Sequence, residues 1–259
     1  MNPYLTAIIP AFNEVENLRF CVQVLREQLG GVSPLPGSPE GASSGLEIII
    51  VNDCSLDGTG VLADALAQEY PAVRVIHHVH NLGIGGAFRT GAACARGEWI
   101  ILIPADLALH PSELHRYVQA TPGADVVVGL RSDRSDYGLL RWIVSRVNIV
   151  LIQVLFGMHE KQFQYISMYR RSVLEEIEIE YWQSAFFLAE ILIKAKNHGG
   201  RLVQVEIRYA PRLNGKPTGA RLMLVVRTVR DILRFWLRWL FLGPQQACRG
   251  VSHEAVKKD

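Results

Sequence analysis

Two short runs of this chain set carboxylates and amides at the ends of apolar stretches. Leu5 to Pro10 leads into Ala11-Phe12-Asn13-Glu14, and Leu46 to Val51 leads into Asn52-Asp53-Cys54-Ser55-Leu56-Asp57-Gly58-Thr59. In an open parallel α/β sheet, ligands bind at the carboxyl ends of the strands. Glu14, Asn52 and Asp53 therefore stand where a nucleotide would be gripped. Recognition of a nucleoside needs an apolar wall and a few fixed donors and acceptors. Phe12 can supply the wall, Glu14 can accept from a ribose hydroxyl, and Asp53 can accept from a base N–H. The same residue types cap helices, so a purely structural use of Asn13, Glu14 and Asp53 is the competing account.

These residues need a frame. Leu5 to Pro10 reads as a strand, and Glu14 to Leu29 as a helix with Leu18, Val22, Leu25 and Leu29 on one face. A loop rich in Gly, Pro and Ser covers Gly30 to Gly45. A strand follows at Leu46 to Val51, a helix at Gly58 to Glu69 and a third strand at Val73 to His77. His80 to Gly97 gives a turn and a small-residue helix. Its Asn81-Leu82-Gly83-Ile84-Gly85-Gly86-Ala87 superficially matches a dinucleotide fingerprint but follows the third strand, so the glycines read as packing devices. Glu98 to Ile103, Ala124 to Gly129 and Leu202 to Tyr209 complete the strands, with a helix over Ser184 to His198. Strands alternating with helices predict an α/β fold: a mostly parallel central sheet with helices on both faces.

The opening motifs resemble those of the inverting family 2 glycosyltransferases, which read P-x-x-N-E and then V-D-D-x-S-x-D-G-T. The resemblance covers roughly residues 4 to 240. It implies a GT-A fold and transfer of a hexose from a nucleotide-diphosphate sugar of the GDP-mannose or UDP-glucose type. It assigns Pro10, Phe12, Glu14, Val51 and Asp53 to the nucleoside end of the donor, and Ala105 and Asp106 to the diphosphate. Members carry Asp-x-Asp followed by a Gln, and those carboxylates hold a divalent metal; here the first Asp is Pro104 and the Gln position is Ala108. Asp106 is thus the one metal ligand carried over, toward Mg²⁺ or Mn²⁺. A single carboxylate is compatible with such an ion when substrate phosphates and water complete its shell. Arg131 matches the family's Gly-Ser-Arg position, with Leu130 in place of Ser. Arg212 matches the first residue of an R-x-x-G-x-S-K loop, in which Pro217-Thr218 replaces Ser-Lys and Lys216 arrives two positions early. Asp106, Arg131 and Arg212 form the implied catalytic set, and Lys216 joins them in donor binding. His110, ahead of Pro111, reads as a loop residue.

The acceptor follows from a missing group. Attack by a sugar hydroxyl needs a general base, which many family members supply from D-x-x-S-G-F-R. The comparable segment here, Lys161 to Arg171, contains no carboxylate. A polyprenyl phosphate is already ionised and needs no base, and Arg141, Arg146 or Arg170 could position it. Within the family the chain looks most like the dolichyl- or polyprenyl-phosphate mannose and glucose synthases. Two alternatives stay open: a hydroxyl acceptor with Glu190 as base, and a nucleotide-sugar-binding protein with little catalysis.

The C-terminal part bears on the same choice. From Leu222 to Leu242, Arg227, Arg230, Arg234 and Arg238 make a stripe opposite Val225, Val229, Ile232, Leu233, Trp236 and Leu240. A basic amphipathic helix of this kind suits a membrane interface. The organisation expected is a glycosyltransferase domain over residues 1–220, this helix over 221–243, and a tail over 244–259 without pattern, expected to be disordered. The N-terminus reads as a strand rather than a signal peptide, and no apolar stretch reaches the ~18 residues a span requires. A cytoplasmic protein, peripheral on a membrane face, is the expectation. A net charge of +2 and pI near 8.4 give no sign of nucleic-acid binding. Cys21, Cys54, Cys94 and Cys248 lack metal or disulfide spacing and read as reduced thiols.

Overall fold

The computed structural model describes residues 3–32, 45–107, 109–132, 138–163, 165–208 and 222–248. The first half alternates as expected: β1 (Leu5–Ala11), α1 (Val15–Leu29), β2 (Leu46–Asn52), α2 (Thr59–Glu69), β3 (Val73–His77), α3 (Gly83–Cys94) and β4 (Trp99–Leu102). A 3-10 turn (Pro111–Glu113), α4 (Leu114–Gln119), β5 (Val126–Arg131) and α5 (Leu139–Phe156) follow. Then come β6 (Ser167–Arg170), α6 (Arg171–Glu175), α7 (Phe187–Asn197), β7 (Leu202–Ile207), α8 (Leu222–Leu242) and α9 (Pro244–Cys248).

The strands form one seven-stranded sheet in the order β3-β2-β1-β4-β6-β5-β7. All pairings are parallel except those of β6, which runs antiparallel between β4 and β5. β6 was not anticipated. It lies in the segment Lys161 to Arg171, which holds no carboxylate, and its Ser167, Met168 and Tyr169 are buried. An interior strand covered on both faces shows no period-2 alternation to read. Its insertion has a consequence for geometry: the carboxyl ends of β1, β2, β3, β4, β5 and β7 all meet at one edge of the sheet. The end of β6 points the other way.

Two apolar layers cover the sheet. Ile48, Ile50, Trp99, Ile101 and Val127 face α1, α2 and α4 on one side. Ile8, Ile49, Ile100, Val126 and Val128 face α3, α5, α7 and α8 on the other. The glycines of α3 are the packing devices expected. A Cβ on Gly85 would strike the Trp182 carbonyl, and one on Gly91 would sit 2.7 Å from the Ile8 side chain. Helix and sheet can then approach more closely than any larger residue allows.

The C-terminal helices are docked, not free. Phe235 and Trp239 of α8 pack against Phe156 of α5, tilted and edge-on, at 5.5 and 5.4 Å, and Phe235 meets Phe186 at 5.7 Å. Aromatic pairs of this kind add roughly 0.5–1.5 kcal/mol each beyond area burial. A buried ion network reinforces them. Lys194 Nζ donates to Glu190 Oε1 at 2.8 Å and Glu180 Oε1 at 2.7 Å, and Arg238 donates to Glu180 Oε2 at 2.5 Å. Burial alone would lower the Lys194 pKa, but the carboxylates of Glu190 and Glu180 raise it above the usual range. The tail expected over residues 244–259 is helical at its start, where Pro244–Cys248 forms α9 with Ala247 and Cys248 buried. Residues 249–259, and most of the loop Gly30 to Gly45, lie outside the described residues.

Candidate active site

The turns after β1 and β2 are laced into one unit. The Asn13 N–H donates to Ser55 Oγ at 3.0 Å, and the Leu56 N–H returns a bond to Asn13 Oδ1 at 2.9 Å. The Glu14 N–H donates to Thr59 Oγ1 at 2.8 Å, and the Val15 N–H to Asp57 Oδ2 at 3.3 Å. Burial would raise the Asp57 carboxyl, but the Thr59 hydroxyl and the Thr59 and Val15 amides outweigh it and hold it below the ordinary range. Among the described residues, three non-glycine residues adopt left-handed backbone: Asn13 (φ 57), Cys54 (φ 63) and Leu107 (φ 43). Each follows one of β1, β2 and β4. Strained backbone of this sort persists where surrounding structure over-determines it, and it clusters at functional sites.

Within this frame the expected donor residues have different fates. Phe12 is 47% exposed and free to act as a wall. Glu14 is half-buried, with Oε2 accepting from Asn17 Nδ2 at 2.7 Å. Pro10 is half-buried in β1, whereas Val51 and Ala105 are buried in the core and offer shape rather than side-chain contact. Asn52 accepts the Ser55 N–H at 3.2 Å and meets His77 Nδ1 at 2.9 Å. Asp53 is 2% exposed and its carboxylate is heavily used. Oδ1 lies 2.7 Å from His78 Nδ1 and accepts the Leu82 N–H at 2.8 Å, while Oδ2 accepts the Gly83 N–H at 2.7 Å. Asp53 thus caps the start of α3, the structural use that the sequence set beside recognition.

Asp106 follows β4 and is half-buried. It shares its surroundings with Glu14: burial first, then the carboxylates of Asp106 and Glu14, push the Cys21 thiol well above its usual range. The Cys21 sulfur sits 4.0 Å from the Pro104 carbonyl oxygen. Among the described residues no group of three or more His, Cys, Asp and Glu could hold a metal ion. The chemistry of the donor set fits a hard cation that takes one carboxylate from the protein and the rest from diphosphate and water. Asp106 is the residue that would hold it.

The other half of the edge is cationic. The Arg131 backbone, at the end of β5, is bracketed by one side chain: its N–H donates to Gln162 Oε1 at 3.1 Å, and Gln162 Nε2 donates to its carbonyl at 3.0 Å. Arg131 is 7% exposed and lines a cleft of about 460 Å³ with Trp142, Arg146, Gln153, Lys161 and Glu206. Gly129 is required just before it, because a Cβ there would strike the Tyr117 hydroxyl. An apolar trough formed by Val147, Val150, Leu151 and Val154 continues along α5 and shares Arg146 and Val150 with the cleft. Arg212, Lys216 and Ala108 lie outside the described residues, as does the Arg141 side chain.

Several candidates are corrected. Arg170 ends the antiparallel β6, so it stands at the opposite edge, over the Trp99 ring at 5.1 Å and 3.6 Å from Asp125. It cannot position an acceptor here. Glu190 is fully buried in the ion network, with Oε1 and Oε2 accepting the Glu180 and Tyr181 N–H groups at 3.0 and 2.9 Å, so it cannot serve as base. His110 bonds its neighbour Ser112 at 2.9 Å, as a loop residue would. Trp142, Gln153 and Gln162 were missed. A signal existed for the first two: Trp142, Arg146, Ile149, Val150 and Gln153 recur at helical spacing on one face of α5. Gln162 carries no such signal, because its role depends on β5 lying beside it.

Comparison with known proteins finds relatives in sequence and in fold. The Glycosyl transferase family 2 profile matches residues 6–195. The undecaprenyl-phosphate mannosyltransferase of Micrococcus luteus is 29% identical over 248 residues, covering 90% of this chain and 94% of that protein. The polyprenol monophosphomannose synthase of Mycolicibacterium smegmatis is 30% identical over 259 residues, covering 94% and 89%. Among solved structures, the UDP complex of glucosyl-3-phosphoglycerate synthase from Mycobacterium tuberculosis aligns with a TM-score of 0.64 at 16% identity, covering 89% of this chain and 79% of that one. Mannosyltransferase PcManGT from Pyrobaculum calidifontis, solved with GDP-Man and Mn²⁺, aligns with a TM-score of 0.60 at 17% identity, covering 96% and 72%. Both structural likenesses are likenesses of fold.

Proposed function

The chain belongs to glycosyltransferase family 2, and from that premise we propose that it moves a mannose-type hexose from a nucleotide-diphosphate sugar to a polyprenyl phosphate. The observation that carries the acceptor choice is the cleft beside β5. It gathers Arg131, Arg146 and Lys161 around a single carboxylate, Glu206, and opens onto an apolar trough. Such a lining suits an anionic head on a hydrocarbon chain. The phosphate oxygen of the acceptor attacks the anomeric carbon as the bond to the nucleoside diphosphate breaks, inverting that carbon; no base is needed because the nucleophile is already ionised. Phe12, Glu14 and Asp53 hold the nucleoside, and Arg131 and Arg212 offset charge on the departing diphosphate. Mg²⁺ or Mn²⁺, when bound at Asp106, supplies further charge neutralisation at the diphosphate.

The membrane reading takes a modified form. Thr228, Asp231, Ile232 and Phe235 of α8 are buried against the domain, and Arg238 is paired with Glu180 rather than joining an outward stripe. A second apolar ridge points outward: Val226, Leu233, Leu237 and Leu240 are 42–56% exposed and Phe241 is 83% exposed. Arg227, Arg230 and Arg234 are exposed on the same helix. No described helix is long and apolar enough to cross a membrane. We therefore read α8 as lying on a bilayer surface, on its cytoplasmic face, with its apolar ridge inserted.

The test is transfer of label from GDP- and UDP-sugars into organic-extractable lipid, with a polyprenyl phosphate, Mg²⁺, Mn²⁺ or chelator. Label in lipid that survives Glu206→Gln supports the reading. Transfer only to a hydroxyl acceptor, abolished by Glu206→Gln, overturns it.

A further inference from the structure

Asp53 is not a freely presented carboxylate. Four elements fix it. The Leu82 and Gly83 N–H groups, at the start of α3, donate to its two oxygens at 2.8 and 2.7 Å. Asn81 Nδ2 donates to its carbonyl at 3.3 Å. The remaining partner is His78, just past the end of β3, whose Nδ1 lies 2.7 Å from Oδ1. The imidazole is itself braced: Nε2 lies 3.0 Å from the Thr90 hydroxyl inside α3, and the His78 N–H donates to the Asn52 carbonyl at 2.9 Å. Its side chain is 8% exposed and that of Asp53 4%.

The order carboxylate, imidazole, hydroxyl is that of a nucleophilic triad. Thr90 is β-branched and lies well inside α3 among N–H groups already used by the helix. It therefore anchors the ring rather than attacking a substrate. What the array does control is direction. An ionised carboxylate offers about four acceptor positions, and among the described residues three of Asp53's are taken. The one left over can point at a nucleoside only if the other three are held in place. The two amides fix one edge of the carboxylate to α3; the imidazole is the single side chain that sets its rotation.

Resting on the assignment of Asp53 to the donor nucleoside, we propose that His78 is a positioning residue for donor recognition: an Asp53–His78–Thr90 strut that holds the Asp53 carboxylate in the orientation it presents to the nucleoside. His78 does not touch the donor. Its effect falls on donor affinity and not on the acceptor side, which lies beyond β4 on the other half of the edge. Asparagine at this position keeps an N–H donor at the reach of Nδ1, so it preserves the bond that matters and loses only the one to Thr90.

The experiment uses the full chain with Mn²⁺ and titrates GDP-mannose and UDP-glucose by calorimetry into His78→Ala, His78→Asn and Asp53→Asn. Steady-state constants for donor and acceptor, and thermal midpoints, are measured alongside. Misdirecting the one charge-assisted bond that Asp53 would give the nucleoside predicts a donor dissociation constant about tenfold weaker in His78→Ala. Acceptor KM should hold, and His78→Asn should recover most of the loss. Unchanged donor affinity in His78→Ala, with binding lost in Asp53→Asn, overturns the strut and leaves the nucleoside assignment standing. Donor binding unchanged in Asp53→Asn overturns that assignment, and the strut with it. A fall in donor affinity, acceptor affinity and thermal midpoint together, not recovered by asparagine, reduces His78 to a structural residue and also overturns the proposal.

Discussion

The two halves of the functional edge are built from different materials. On the β1–β2–β3 side, turns are tied to one another by side-chain-to-backbone hydrogen bonds, and the principal carboxylate is buried under three donors. On the β5–α5 side the lining is cationic and apolar, with valines exposed along α5 and the polar ties of Gln162 spent on the Arg131 backbone. The contrast tracks the substrates proposed for each. A nucleotide is rigid and rich in donors and acceptors, so its site gains from pre-set polar groups that cost no ordering when it binds. A prenyl phosphate has one anionic head and a flexible chain, for which fixed cations and a smooth apolar surface suffice. Asp106 lies where the two halves meet.

That boundary position gives the largest expected effect. Asp106→Ala should lower kcat/KM by roughly two to three orders of magnitude, since it removes the charge that would hold the metal against the diphosphate. Extra Mn²⁺ should recover little of it. Activity within a few fold of wild type would break the comparison at its centre, moving the metal contact to residues outside those described.

The next effect concerns what holds the acceptor half to the rest. Lys194→Met would leave Glu190 buried without its ammonium, at a cost of about 3–5 kcal/mol in urea unfolding. Adding Glu190→Gln should return part of that loss, because the uncompensated charge is then gone. The network joins α7 to α8 through Glu180 and Arg238, so vesicle binding should weaken along with stability. Loss of stability with intact vesicle binding would detach α8 from the membrane role.

A tenfold effect should separate the halves directly. Arg146→Ala and Lys161→Ala each remove one cation from the cleft and should raise acceptor KM about tenfold, leaving donor KM unchanged. His78→Ala should do the reverse. If the cleft variants move donor KM instead, the division of the edge between donor and acceptor is wrong.

These contrasts were unequally visible beforehand. The donor half was legible because its residues are consecutive: Pro10 to Glu14 and Val51 to Thr59 carry their meaning in local order. For Asp53 the sequence set helix capping against recognition as competing uses, and the structure shows the first, with the Leu82 and Gly83 N–H groups on its carboxylate. The acceptor half was harder to read. Arg131 and Gln162 are 31 residues apart and meet only because β6 enters the sheet antiparallel. Arg170 was misjudged for the same reason, since the direction of β6 sends it to the far edge. On α8 the error was one of face: Ile232 and Leu233 are neighbours in sequence, yet the first is buried and the second 42% exposed. A helix with two apolar faces defeats a reading that assumes one.

The smallest effect tests how the two halves share the end of β7. Glu113, buried, receives the Arg208 guanidinium at 2.8 Å and the Arg208 N–H at 3.3 Å. Burial would raise its carboxyl, but Arg208, with Arg116 adding charge, holds it below the usual carboxylate range. A folded-state pKa below the unfolded value means the folded protein releases this proton more readily. The contribution to stability is then fully present above the ordinary glutamate value and is lost as pH falls through the depressed one. Arg208→Ala should therefore lower stability at neutral pH and move the acid-unfolding midpoint upward by circular dichroism, with the gap from wild type closing as pH falls through the depressed value. Arg208 is also the last described residue before the segment that carries Arg212 and Lys216. If that segment serves the diphosphate, the same variant should weaken donor KM at low pH before the fold is lost. A donor KM that stays flat until the protein unfolds would assign the Glu113–Arg208 pair to the scaffold alone.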